Sequence, residues 1–215
     1  MAAISLNQTA YEYIHNKIMH GEFLPGSMLS ENELAEALSM SRTPIRGAIA
    51  QLEHEGLVVT LKNRGILVKE ISMKEAMDMF EVIHTFQLYA LDHMQTHGDM
   101  PDLPKMKKYL ELQYEATEQR AYHLYAKYSF QFQYCLVAIL GNNSMMKILD
   151  DFANKMLLFA ITNFQLTPNE PHYRANKLNR SIYEALLAKD FQLLRRIFIE
   201  THQVGRERLM RTGRI

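Results

Sequence analysis

The sequence predicts a mostly α protein in two parts, a small helical domain carrying one β-hairpin and then an all-helical bundle. Three observations lead there. Residues 1–71 hold short helical patterns that run into "GLVVTLKNRGILVKE", two β-branched runs flanking a turn. From Ser72 onward apolar residues recur with helical period, broken at "HGDMPDLP", "LGNNS" and "LTPNEP". The chain has 215 residues, 47% of them apolar, enough for a core in each part. The expected domains are therefore 1–71 and 72–215.

The first helix lies in "TAYEYIHNKIMHGEFLPG", with Tyr11, Ile14, Ile18 and Met19 on one face and Gly21 as its stop. In "SENELAEAL", Ser30 is followed three residues later by Glu33, the spacing of a capping box, and Leu34, Ala35 and Leu38 form the buried side of a second short helix. A third helix runs from about Arg42 to Glu55 and ends at Gly56. The hairpin follows, with "KNRG" at its tip. Three short helices and a two-stranded wing make a winged helix-turn-helix pattern.

The third helix contains Pro44, a residue that breaks a helix interior. With Ser41 as N-cap, Arg42, Thr43 and Pro44 fill the first turn, where backbone N–H groups have no intrahelical acceptor. The proline then fixes where the helix starts. The Ser41 hydroxyl is expected to cap the N–H of Thr43, since Pro44 has none. In the same register Ile45, Ala48, Ile49 and Leu52 face inward, while Arg42 and Arg46 share the neighbouring face. The N-terminal end of such a helix enters the major groove of DNA, where arginine grips phosphate or the O6 and N7 edge of guanine. Two arginines on a solvated helix would also satisfy the pattern. The hairpin tip tilts the reading towards DNA, because Lys62 and Arg64 flank a turn in which Gly65 permits close backbone approach.

Charge narrows the partners less. The whole chain balances 24 basic against 24 acidic side chains, and residues 1–70 hold six basic and eight acidic ones, a net of −2. Five of those six basic residues nevertheless fall between Arg42 and Lys69, against Glu53 and Glu55 alone. A positive patch this local implies modest affinity for one domain and a dimer for tight binding. The single Cys135 excludes an internal disulfide framework and suits a reducing cytosol. The N-terminus shows no secretory pattern and no run approaches a membrane span, so a cytoplasmic protein without membrane attachment is expected. No nucleophile elbow, phosphate-cradling glycine loop or zinc-protease motif occurs, and an enzyme is not expected.

The run "GEFLPGSMLSENELAEALSMSRTPIRGAIAQLEHEGLV…RGILV" resembles the N-terminal domain of GntR-type bacterial transcription regulators over about 50 residues. Gly47 stands where that family usually has Glu. The resemblance implies that Asn32, Ser41, Arg42, Thr43 and Arg46 contact DNA and that Arg64 and Gly65 belong to the wing. The second part resembles, more loosely, the all-helical ligand-sensing domain of the FadR-like (FCD) branch, through "ISMKEAMDMFEVIHTFQLYAL", "FQYCLVAILGNNSMM", "NRSIYEALLAKD" and "THQVGRERL". In that branch such domains dimerise the regulator and bind small organic acids, often through a metal held by one Asp and three His.

This chain departs from that ligand pattern. Aligned on Phe132, the Asp position falls on Ser129, and the first two His positions fall on Gln133 and Asn179. His202 alone is retained. The branch's effector-pairing arginine falls on Ile83 and its neighbouring Glu on Gln87. Ser, Gln and Asn are poor ligands for a divalent transition metal, and one neutral His does not make a site. The expectation is a neutral polar pocket of Ser129, Gln133, Asn179 and His202 that takes water or a small polar effector and no cofactor or metal. The function expected is a ligand-responsive regulator acting as a homodimer on a pseudo-palindromic operator, with repression or activation left open by the sequence. The alternative is the same fold with a bundle that no longer binds a small molecule.

Other groups have plainer readings. His93 and His97 are one turn apart at a helix end, where the dipole favours imidazoles. Cys135 lies in the apolar "YCLVAIL" and reads as inert burial. The 14 methionines read as core and dimer filling. The basic tail "RERLMRTGRI" reads as a solvated helix end.

Overall fold

The computed structural model describes residues 5–167 and 172–211. The end of the basic tail, from Thr212, and most of the "LTPNEP" break lie outside the described residues. The chain divides into two compact units, one of residues 1–71 with 154–166, the other of 72–153 with 167–215.

The first unit begins with α1 (Leu6–Met19), capped by the Ser5 hydroxyl accepting from the N–H of Gln8 at 3.1 Å. Ala10, Ile14, Ile18 and Met19 are buried, and Gly21 leaves the helix at φ +72°. Strand β1 (Met28–Leu29), α2 (Glu31–Ala37), α3 (Arg42–His54), β2 (Val58–Leu61) and β3 (Gly65–Val68) follow. The expected two-stranded wing gains a third strand, because β1 pairs antiparallel with β3 and the sheet order is β1-β3-β2. A two-residue strand flanked by Gly26 and Ser30 carries no alternation signal of its own, and only pairing reveals it. Gly65, at φ +107°, is required by this arrangement: a Cβ there would sit 2.8 Å from the backbone oxygen of Leu29.

On α3 the buried face is Ile45, Ala48, Ile49 and Leu52, as its period predicts, with Ile45, Ala48 and Leu52 fully out of solvent. Ile45, Ile49 and Leu52 each contribute about 1.5–3 kcal/mol on burial, so this stripe fixes which way the opposite face points. Gly56, at φ +74°, closes the helix. Residues 154–166 complete the unit. Glu55, at the C-cap of α3, accepts from the Tyr11 hydroxyl and from Nδ2 of Asn154, both at 2.9 Å.

The second unit is helical: α4 (Met73–His97), α5 (Leu103–Glu118), α6 (Tyr122–Ala138), the first part of α7 (Asn143–Leu166), α8 (Ala175–Leu187) and α9 (Phe191–Arg211). Ser72 caps α4 and Asp102 caps α5, each accepting from a backbone N–H three residues on. Gly98, in the left-handed conformation, ends α4 directly after His97. The core gathers Leu91, Met94, Met106, Phe132, Leu136 and Leu194, among others. Cys135 is buried in it, and burial pushes its thiol pKa up. That holds the sulfur as a thiol and makes it a poor nucleophile.

Candidate DNA interface and buried polar cluster

In the first unit, Arg42, Thr43 and Arg46 lie on the exposed face of α3, opposite its buried stripe. Ser41 precedes them and is exposed, as is Asn32 in the first turn of α2. Ser41 is the N-cap residue by its extended backbone, but its hydroxyl makes no cap bond. The expected bond to Thr43 is therefore absent, which leaves the hydroxyl unused by the helix. Ser30 does cap α2, accepting from the N–H of Asn32 at 3.3 Å rather than from that of Glu33. Arg64 is exposed at the hairpin turn, next to Asn63 at φ +59°. Gly47, on α3, lies under the Asn7 side chain.

Sequence reasoning missed the residue that links the two arginines. Glu31, at the start of α2, accepts from Nε and Nη2 of Arg42 at 3.0 and 2.6 Å. It also accepts from Nε of Arg46, at 3.2 Å on Oε1 and 3.0 Å on Oε2. These bonds, first that of Arg42, hold the Glu31 carboxyl below its ordinary value against some desolvation. Glu31 stands 11 and 15 residues before its partners, and no local period connects positions on two different helices.

In the second unit the structure joins three of the four expected pocket residues. Gln133 Nε2 donates to Asn179 Oδ1 at 2.6 Å, and Asn179 Nδ2 donates to Ser129 Oγ at 3.2 Å. Two further glutamines extend the chain, Gln87, at the branch's Glu position, and the unanticipated Gln113: Gln87 Nε2 donates to Gln133 Oε1, and Asn179 Nδ2 donates to Gln113 Oε1, both at 2.8 Å. Gln113 and Asn179 are fully buried. The signal for Gln113 was present in α5, where it continues the inward spacing of Met106 and Leu110 as a polar residue on an apolar stripe.

His202 has a different setting. Its ring stacks on His84 with centroids 4.2 Å apart, and its buried Nε2 has no hydrogen-bond partner. Asn176 Oδ1 and Gln113 Nε2 are likewise buried without one. Gln87, Ser129, Gln133, Asn179 and Gln113 offer only neutral oxygens and nitrogens, bonded to one another but for Gln113 Nε2. This donor set does not fit a divalent transition metal, which needs carboxylate or imidazole ligands to offset its charge. Among the described residues no group of three His, Cys, Asp or Glu side chains is placed to hold one. His93 Nε2 pairs with Asp99 at 3.0 Å and the His93 ring stacks on His97, an arrangement local to the end of α4.

With this geometry in hand, the relatives are informative. Residues 6–68 match the bacterial regulatory proteins of the gntR family, and residues 78–202 match the FCD domain. The chain belongs to the GntR family and carries an FCD domain. Its curated relatives carry the names of HTH-type transcriptional regulators. A 109-residue stretch is 34% identical to an HTH-type transcriptional regulator from the TAR-I ttuE-ttuC' intergenic region of Agrobacterium vitis, covering 51% of this chain and 61% of that one. Another, of 70 residues, is 36% identical to the HTH-type transcriptional repressor RspR of Escherichia coli K12, covering 33% and 31%. The chain thus spans less than two thirds of the curated relatives it matches. A solved GntR-type structure from Rhodococcus sp. RHA1 superposes with a TM-score of 0.82 at 19% identity, over 97% of this chain and 99% of that one. At that identity the likeness speaks for the fold. The names of family and relatives are those of regulators, not enzymes, and no helix among the described residues is long and apolar enough to cross a membrane.

Proposed function

We propose that the chain is a ligand-responsive regulator that binds a pseudo-palindromic operator as a homodimer in the cytoplasm. The amino end of α3 enters the major groove. Arg42 and Arg46 read base edges or phosphate there, and Asn32, Ser41 and Thr43 contact the backbone beside them. Arg64 and Gly65 place the wing against the neighbouring groove. The observation that carries this reading is the clean division of α3, with four buried apolar residues on one side and both arginines exposed on the other. The Ser41 hydroxyl, free of any cap bond, adds a donor at the same end.

In the second unit, a small polar effector binds beside Ser129, Gln133, Asn179 and His202 without a transition metal. The buried unpaired atoms Asn176 Oδ1 and His202 Nε2 support it, since buried polar groups take a partner from protein, water or ligand. The second reading is a bundle that binds no small molecule, and the mutual bonding of the amides favours it. A thermal-shift screen with small polar metabolites, carboxylates and divalent metals separates the two, because a ligand bound only by the folded state raises stability. A shift with a polar compound supports the sensor. No shift with any of them supports the alternative. Metal content well below one per chain is expected from elemental analysis, and a stoichiometric metal on His202 would refute the metal-free pocket.

A further inference from the structure

We propose that Glu31 is a positioning residue that sets how Arg42 and Arg46 are presented to DNA and thereby how well the protein discriminates between sequences. The inference rests on the DNA-binding reading above. One carboxylate on α2 holds two guanidinium groups on α3, and it does so unequally. Arg42 is engaged through Nε and Nη2, which is the side-on fork, while Arg46 is engaged through Nε alone. Both Nη groups of Arg46, and Nη1 of Arg42, donate no hydrogen bond to Glu31. These three terminal nitrogens thus remain as donors, while Nε of both arginines and Nη2 of Arg42 are anchored.

The consequence follows from what each term contributes on DNA. A bidentate contact to guanine is directional, so it gains from a guanidinium already held in place, with less rotamer freedom to lose. Phosphate attraction is long-ranged and tolerant of geometry, and a carboxylate beside two arginines weakens it. Glu31 therefore costs affinity for any duplex while favouring the one whose base edges match the fixed geometry. Loss of Glu31 would free the arginines to follow phosphates.

The test starts from a duplex selected by the wild-type chain from a random-sequence pool, with a scrambled duplex of equal length as reference. Glu31→Ala is expected to lower the ratio of selected to scrambled affinity by about tenfold, within the range for one good base contact. Affinity for the scrambled duplex should hold or rise, with a steeper dependence on salt. Damage to folding would reduce both affinities together and leave the ratio alone. Glu31→Gln, which keeps the size but not the charge, should move the ratio in the same direction. Glu33→Gln, in the same helical turn without these arginine bonds, should not move it. An unchanged ratio in both Glu31 variants, with the wild type still selecting a sequence, overturns this proposal alone. A wild type that selects no sequence overturns the DNA-binding reading, and this proposal with it.

Discussion

The two arginines are the residues on which the account turns. Arg42→Ala and Arg46→Ala should each weaken binding to the selected duplex by about 1–3 kcal/mol, the cost of a lost bidentate base contact. Circular dichroism should show the helices intact, because both side chains are exposed and the buried stripe of α3 is untouched. Unchanged affinity in both variants would contradict their role. Gly65 gives a stability prediction of a different kind. Gly65→Ala forces a Cβ against the Leu29 oxygen at a φ of +107°, so denaturant unfolding should show a loss of about 1–3 kcal/mol. At this scale the sequence was legible in the inward face and the end of α3, though not in its cap, where the expected Ser41 bond is absent. The inward residues of α3 and the end at Gly56 follow from period and turn chemistry. What it hid were relations between elements: Glu31 on α2 with the arginines on α3, and β1 against β3.

Among the elements, α5, α6 and α8 meet through amides. Asn179 accepts from Gln133 and donates to both Gln113 and Ser129 while fully out of solvent. Asn179→Ala would strand these partners, and about 1–3 kcal/mol of stability should be lost by denaturant titration. Alignment to the branch's ligand pattern was enough to single out Ser129, Gln133 and Asn179, and Gln87 beside them, but not to find Gln113, which lies on another helix. The α4 and α9 pair gives a pH dependence. Burial, and then the adjacent His202, lowers the His84 pKa from its ordinary value. The unfolded chain then binds that proton more readily than the folded one, so stability rises with pH across the interval. The contribution is full above about pH 6.5 and is lost as pH falls from there through the lowered folded value. Glu81 on α4 and Arg206 on α9 form an exposed pair 4.0 Å apart on the same two helices. Chemical unfolding compared at about pH 7.5 and about pH 5.5 should show the loss, and His84→Gln should flatten it. Equal slopes in both proteins would assign the dependence elsewhere.

For the whole molecule, the weak charge of residues 1–70 makes dimerisation the natural source of tight binding, since two half-sites add their contacts. Light scattering at micromolar concentration should give twice the chain mass. A monomer that still binds a full operator would contradict the homodimer. The central claim, that a GntR-type α3 reads DNA through Arg42 and Arg46, is tested most directly by one selection. The full chain and its Arg42→Ala, Arg46→Ala double variant are each used to enrich duplexes from the same random-sequence pool. The wild-type chain is expected to enrich a sequence with two-fold symmetry, and the double variant none. Recovery of the same sequence by the double variant, or of no sequence by the wild type, would contradict it.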